Sequence, residues 1–241
     1  MHVVLLAHGS RDPRHAATIE RIAAALDERS LRATVGSAFL DLTAPTLAEA
    51  VTPLPDASEV IVVPMLLTRA FHAGVDVPAA MESATAARPD LTLRTAAVLG
   101  PSPLLTTAMD RRIREAGVDA AERGTAVLMI AAGSSDDDAR AQVAHIASQW
   151  LTGPRRGTHA FAAGPGPDVA TAVSTLAELG DVTRIVAAPY LLAPGALPDH
   201  AFAEARARGA AHGIEVVIAD VIGDAPEVLE LVPARARAAA S

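Results

Sequence analysis

The sequence predicts an α/β protein of two lobes with parallel sheets, related by internal duplication. Three observations predict it. Short apolar runs alternate with stretches of helical periodicity along all 241 residues. The series occurs twice: "TAVLMIAAGSSDDDAR" (125–140) repeats "MHVVLLAHGSRDPR" (1–14), so that Ala132 falls on His8. Apolar residues make up 51% of the chain against 20% charged, enough to bury both faces of a sheet.

The elements of the first repeat follow in order. "VVLLA" (3–7), wholly apolar, is a buried strand. Pro13 opens a helix, where its missing N–H costs nothing, and Ala16, Ile19, Ile22, Ala23 and Leu26 form the apolar face. "ATVGSAFL" (33–40) is a strand and "APTLAEAV" (44–51) a short helix. "EVIVVPMLL" (59–67) is a strand, followed by a loop and a helix from about Pro78. "TLRTAAVL" (92–99) is a strand, and "SPLLTTAMDRRIREAG" (102–117) a helix closed by glycine. Strands joined through helices imply right-handed crossovers and a mostly parallel sheet.

The second repeat keeps this order. "FAAGPGPDVATAV" (161–173) follows "FLDLTAPTLAEAV" (39–51), and "RIVAAPYLL" (184–192) follows "EVIVVPMLL". "IEVVIADVIGDAPEVLELV" (214–232) follows "LTLRTAAVLGPSPLLTTAM" (91–109). The expected lobes are 1–120, carrying the active site, and 121–241, a degenerate copy. The acidic run "SSDDD" (134–138) reads as the N-capped first turn of a helix. The Ala/Arg-rich "PARARAAAS" is expected to fray.

Composition excludes several functions. There is no cysteine, hence no disulfide, thiolate metal site or iron–sulfur ligation. The net charge of −8 and the scarcity of aromatic residues argue against a nucleic-acid partner. No apolar run reaches the ~18 residues of a membrane span. The opening "MHVVLLAHGS" lacks the basic leading region of a signal peptide. The expectation is a cytoplasmic protein with no membrane partner. The duplication predicts a monomer, the second repeat standing where a second chain would. No phosphate loop and no tightly bound cofactor are expected.

Chemistry is expected at the carboxyl ends of the strands, where open parallel α/β sheets bind ligands. The first strand ends at His8 and the second at Asp41. The third runs into "MLLTRAFHAGVDVP" (65–78), which carries Arg69, His72 and Asp76. The second repeat offers Ala132, Ala163 and, by the loop match, Leu197. A histidine closing a strand is ordinarily a hydrogen-bonded filler, a loop histidine a surface residue, and an aspartate in this place a helix cap. Ala132 weighs against the filler, because the fold tolerates a methyl group there. Two neutral imidazoles and a carboxylate suit Fe2+, Co2+ or Ni2+. His15, His145, His159 and His212 read as surface or helix-face residues.

"HGSRDPR" (8–14), "FLDLTAPTL" (39–47) and "VVPMLL…H…DVP" (62–78) resemble, in order and spacing, the class II chelatases, specifically the sirohydrochlorin cobaltochelatases and ferrochelatases. The resemblance covers the full length, including the duplication of the long form. It implies two flavodoxin-like, chelatase-like lobes facing across a cleft. It also implies insertion of Fe2+ or Co2+, as substrate, into sirohydrochlorin for sirohaem or cobalamin. It places the family's histidine pair, as metal ligands and catalytic groups, on His8 and His72. The family's acidic residue, usually glutamate, falls on Asp41, one methylene shorter. Histidine, with an ordinary pKa of ~6.5, can bind metal or take a ring proton near neutrality. Sirohydrochlorin is a polycarboxylate, so Arg11, Arg14, Arg69 and the donors of Ser10 are candidate substrate contacts beside a helix N-terminus. The alternative function is a metal or tetrapyrrole carrier without turnover. The visible spectrum of sirohydrochlorin with metal, with and without protein, separates the two.

Overall fold

Two four-stranded parallel sheets form the frame, each with the strand order of a doubly wound fold. The structure, a computed structural model, describes residues 2–28, 33–68 and 74–240. The first sheet is ordered β2-β1-β3-β4, with β1 His2–Ala7, β2 Thr34–Phe39, β3 Glu59–Pro64 and β4 Thr92–Thr95. The second is ordered β6-β5-β7-β8, with β5 Thr125–Ala131, β6 Gly157–Phe161, β7 Arg184–Tyr190 and β8 Glu215–Ile218. The matching orders follow from the duplicated sequence.

The helices are α1 Pro13–Glu28, α2 Leu47–Val51, α3 Asp76–Ala87, α4 Pro103–Glu115, α5 Asp137–Trp150, α6 Val169–Ala177, α7 Ala196–Ala211 and α8 Pro226–Ala240. In the first sheet Val4, Leu6, Val60 and Val62 pack against Leu47 and Val51 of α2 and Val77 and Ala84 of α3. Strand alternation turns Val3, Leu5, Ile61 and Val63, all fully buried, to the opposite face. The second sheet is filled the same way, Leu128, Ile130, Ile185 and Ala187 meeting Val173 and Leu176 of α6 and Ala201 and Ala205 of α7.

Local sequence explains the helix starts. Thr46 caps α2 in a capping box: its hydroxyl accepts from the Glu49 amide at 3.3 Å, and the Glu49 carboxylate accepts from the Thr46 amide at 2.8 Å. The helix therefore begins at Leu47 rather than Ala44, and Asp41 does not cap it. Asp136 caps α5 by accepting from the amides of Asp138 and Ala139, the arrangement expected of the acidic run.

The packed units divide the chain differently from the repeats. One unit comprises Met1–Ser102 with Gly223–Ser241; the other is Pro103–Ile222. The final helix of each repeat packs with the other repeat's sheet. α8 lies on β3, β4 and α1, while α4 lies on β7. Each is held by an arginine that donates to backbone carbonyls beyond the last strand of its unit. Arg235 donates to Leu99 at 3.0 Å; Arg112 donates to Val221 at 3.1 Å and Ile222 at 3.0 Å. Residues 233–240 of the tail expected to fray are thus part of α8, with Ala236 buried. No helix among the described residues is long and apolar enough to cross a membrane.

Candidate active site

The candidate site is built from two turns of the first unit, both at the carboxyl end of its sheet. β1 ends at Ala7, and His8 follows, half-buried, with Nδ1 3.3 Å from the Gly9 carbonyl oxygen. The chain then turns at Gly9, with φ +94°. Beyond β2, the Leu40 amide donates to Ala7 O and the Asp41 amide to His8 O, each at 2.9 Å. The parallel ladder therefore runs two residues past the strands and brings Asp41 beside His8. Gly9 makes this approach possible, since a Cβ there would lie 1.8 Å from Asp41 O.

A second staple joins the turns. The Ser10 amide donates to Thr43 Oγ1 at 3.1 Å, and that hydroxyl donates to Ser10 O at 2.8 Å. Asp41 is exposed. Its Oδ1 accepts the Leu42 amide at 2.7 Å, fixing the loop, while Oδ2 has no partner among the described residues.

The second repeat reproduces this backbone with different side chains. The Ala162 amide donates to Ala131 O at 2.8 Å and the Ala163 amide to Ala132 O at 3.1 Å. Gly133 has φ +95°, and a Cβ there would lie 1.8 Å from Ala163 O. The pairing of His8 with Ala132 and Asp41 with Ala163 is thus a structural equivalence. One frame carries an imidazole and a carboxylate, and its copy carries two methyl groups.

The other expected site residues fare differently. Ser10 Oγ accepts the Asp12 amide at 3.1 Å, and Ser134 does the same for Asp136, so this hydroxyl serves the turn in both repeats. Arg14 lies against Asp12, Nη2 to Oδ2 at 2.6 Å and Nε to Oδ1 at 3.0 Å. That hydrogen bonding holds the Asp12 carboxyl down at about 2. Arg11 is exposed and makes no ion pair among the described residues. His72 and Arg69 lie outside the described residues. Among the described residues no group of three or more histidine and carboxylate side chains is set to hold a metal ion.

His15 is not the plain helix-face residue expected. It is half-buried in the first turn of α1, its ring centroid 6.3 Å from that of Phe39, and Nδ1 is buried with no hydrogen-bond partner among the described residues. Burial pushes its imidazole below the ordinary range, the His8 charge adds to this, and Asp12 opposes it. The alignment of the repeats carried a signal for it, since Ala139 occupies its place in the second copy.

The CbiX family model matches this chain twice, over residues 2–116 and 126–239. The sirohydrochlorin ferrochelatase of Bacillus subtilis (strain 168) is 27% identical over 194 residues, covering 79% of this chain and 73% of the relative. A sirohydrochlorin cobaltochelatase of Priestia megaterium is 25% identical over 201 residues, 81% of this chain and 65% of the relative. Among solved structures, SirB from Bacillus subtilis with Fe3+ superposes with a TM-score of 0.82 at 26% identity, over 100% of this chain and 96% of that one.

Proposed function

Because the chain belongs to the CbiX family, we propose that it is a sirohydrochlorin chelatase, inserting Fe2+ or Co2+ into the macrocycle. The observation that carries the reading is the unequal filling of two equal frames. The His8–Gly9 and Ala132–Gly133 turns share their backbone hydrogen bonds and their glycine conformation, so structure alone does not require the imidazole. Ferrochelatase and cobaltochelatase relatives support the reaction type.

Insertion replaces two ring N–H bonds by bonds to the metal and releases two protons. His8 meets the incoming ion as neutral imidazole, with His72 as the second ligand. Once the ring nitrogens take the metal, a freed imidazole accepts a released proton. Asp41 assists with Oδ2, its other oxygen being held by the Leu42 amide. Of the proposed carboxylate contacts, Arg11 makes no ion pair among the described residues, Arg14 is matched by Asp12, Ser10 serves its turn, and Arg69, outside the described residues, is a further candidate. The first unit carries the chemistry, and the metal is a substrate rather than a resident cofactor. The duplication within one chain supports a monomer.

The test is His8→Ala. The variant should melt within about one degree of wild type, since the equivalent turn already carries alanine, and should lose at least about a hundredfold in insertion rate. Insertion is followed by the visible spectrum of sirohydrochlorin with Co2+. A folded His8→Ala protein that inserts metal at the wild-type rate removes the basis of the reading.

A further inference from the structure

Leu42 occupies a backbone conformation that suits glycine. Its φ is +62°, and among the described residues only it and Ala57 adopt a positive φ without being glycine. In the left-handed region an L side chain crowds its own carbonyl, so glycine, asparagine and aspartate fill such positions and a branched apolar residue is an outlier. The residue is only half covered in return, being 49% exposed, one of the large apolar residues left open to solvent.

The second repeat shows that the fold does not ask for leucine. Phe39 pairs with Thr46 and Phe161 with Asp168 in matching bridges, which sets Leu42 opposite Gly164. Gly164 has φ +82° and provides the same turn with no side chain. An exposed apolar residue in an unfavourable conformation, next to the reacting groups and replaced by glycine in the inert copy, points to function.

The position is also rigid. The Leu42 amide donates to Asp41 Oδ1 at 2.7 Å, the Thr43 amide to Asp41 O at 2.8 Å, and Thr43 is bonded to Ser10 on the His8 turn. The backbone that carries this half-exposed side chain is therefore fixed beside the His8–Asp41 turn pair by a stapled loop.

We infer that Leu42 is a substrate-contact residue, its side chain covering the apolar face of the tetrapyrrole macrocycle while His8 and Asp41 meet the metal. The inference rests on the chelatase reading and adds a residue that fixes how the macrocycle lies. A flat conjugated ring bearing carboxylates only at its rim offers one kind of surface to a leucine, its face. Covering the exposed half of this side chain is worth about tenfold in affinity.

The test titrates two probes separately, sirohydrochlorin by fluorescence quenching and Co2+ alone, on wild type, Leu42→Gly, Leu42→Asn and Leu42→Met. Glycine and asparagine suit the backbone, so both variants should fold and melt no lower than wild type. Both should bind sirohydrochlorin about tenfold more weakly, with Co2+ affinity held within about twofold; methionine, keeping apolar bulk, should stay within about twofold for both probes. Wild-type sirohydrochlorin affinity in either the glycine or the asparagine variant overturns the inference. So does a fall in melting temperature or Co2+ affinity in both, which would make Leu42 a support of the loop. Failure of the wild-type protein to bind sirohydrochlorin would instead overturn the chelatase reading, and this inference with it.

Discussion

Replacing Gly9 by alanine strikes the point where the His8 and Asp41 turns touch, and Gly133→Ala strikes the same point in the copy. The added Cβ at Gly9 would sit 1.8 Å from Asp41 O and 3.0 Å from its carbonyl carbon, where ordinary contact begins at 3.4 Å. The neighbour is backbone, so no side chain can swing away. The left-handed φ of +94° costs an L residue ~1–2 kcal/mol. Moving Asp41 off also breaks the hydrogen bond its amide donates to His8 O, a further ~1 kcal/mol. A destabilisation of about 3 kcal/mol lowers the melting temperature of a chain this size by roughly 6–12 °C. Gly133→Ala should lose as much, its Cβ lying 1.8 Å from Ala163 O. Function should part the two. At a temperature where both are folded, Gly9→Ala separates Asp41 from His8 and should cost about a hundredfold in Co2+ insertion, whereas Gly133→Ala should keep wild-type turnover. Scanning calorimetry and the spectral insertion assay on both proteins decide the matter. Equal turnover in the two variants would refute the assignment of chemistry to the first frame.

Further outcomes follow from the same geometry. Ala132→His should add no second metal site, because its partner position is Ala163 rather than a carboxylate; equilibrium dialysis with Co2+ should give the wild-type stoichiometry, and a doubled value would contradict this. Burial lowers the His15 imidazole, so the unfolded chain takes up that proton first. The stability this gives is complete above the unfolded pKa of ~6.5 and declines as pH falls through the folded value. His15→Leu should therefore flatten the fall in melting temperature between about pH 7 and about pH 5. His159, also lowered by burial, leaves a residual slope of the same sign; an unchanged slope in His15→Leu would show that the buried imidazole is not its source.

Much of this architecture was legible in the sequence because its signals are local. The wholly apolar 3–7 and 59–64 runs, Pro13 at a helix start and the duplicated order gave the strands, the helices and the two sheets. The expected third and fourth strands ran on to 67 and 99, past their ends at Pro64 and Thr95, because apolar residues continue into the carboxyl-end loops. The fate of the last helix of each repeat was not legible. An apolar helical face states that it must be covered, not which sheet will cover it. At the site, His8 and Asp41 were legible as polar strand ends with apolar counterparts. The strained φ of Leu42 was hidden because nothing in "DLTAP" marks a left-handed residue. Only the alignment with Gly164 carried that signal. The environment of His15 is not legible because periodicity places it on a helix face without showing that Phe39 lies beside it.

The division of the chain into Pro103–Ile222 and a unit interrupted by it has a consequence for synthesis. The sheet bearing His8 is translated first yet completed last. The face of β3 and β4 that α8 covers stays open until residues 226–240 leave the ribosome. The intervening unit is 120 residues long, and at ~5–20 residues per second it delays that closure by roughly 6–24 s. Meanwhile the uninterrupted second unit has every element it needs and can close on its own. The second copy of the frame therefore matures ahead of the first. Premature termination before α8 leaves the second unit whole and the face of β3 and β4 uncovered.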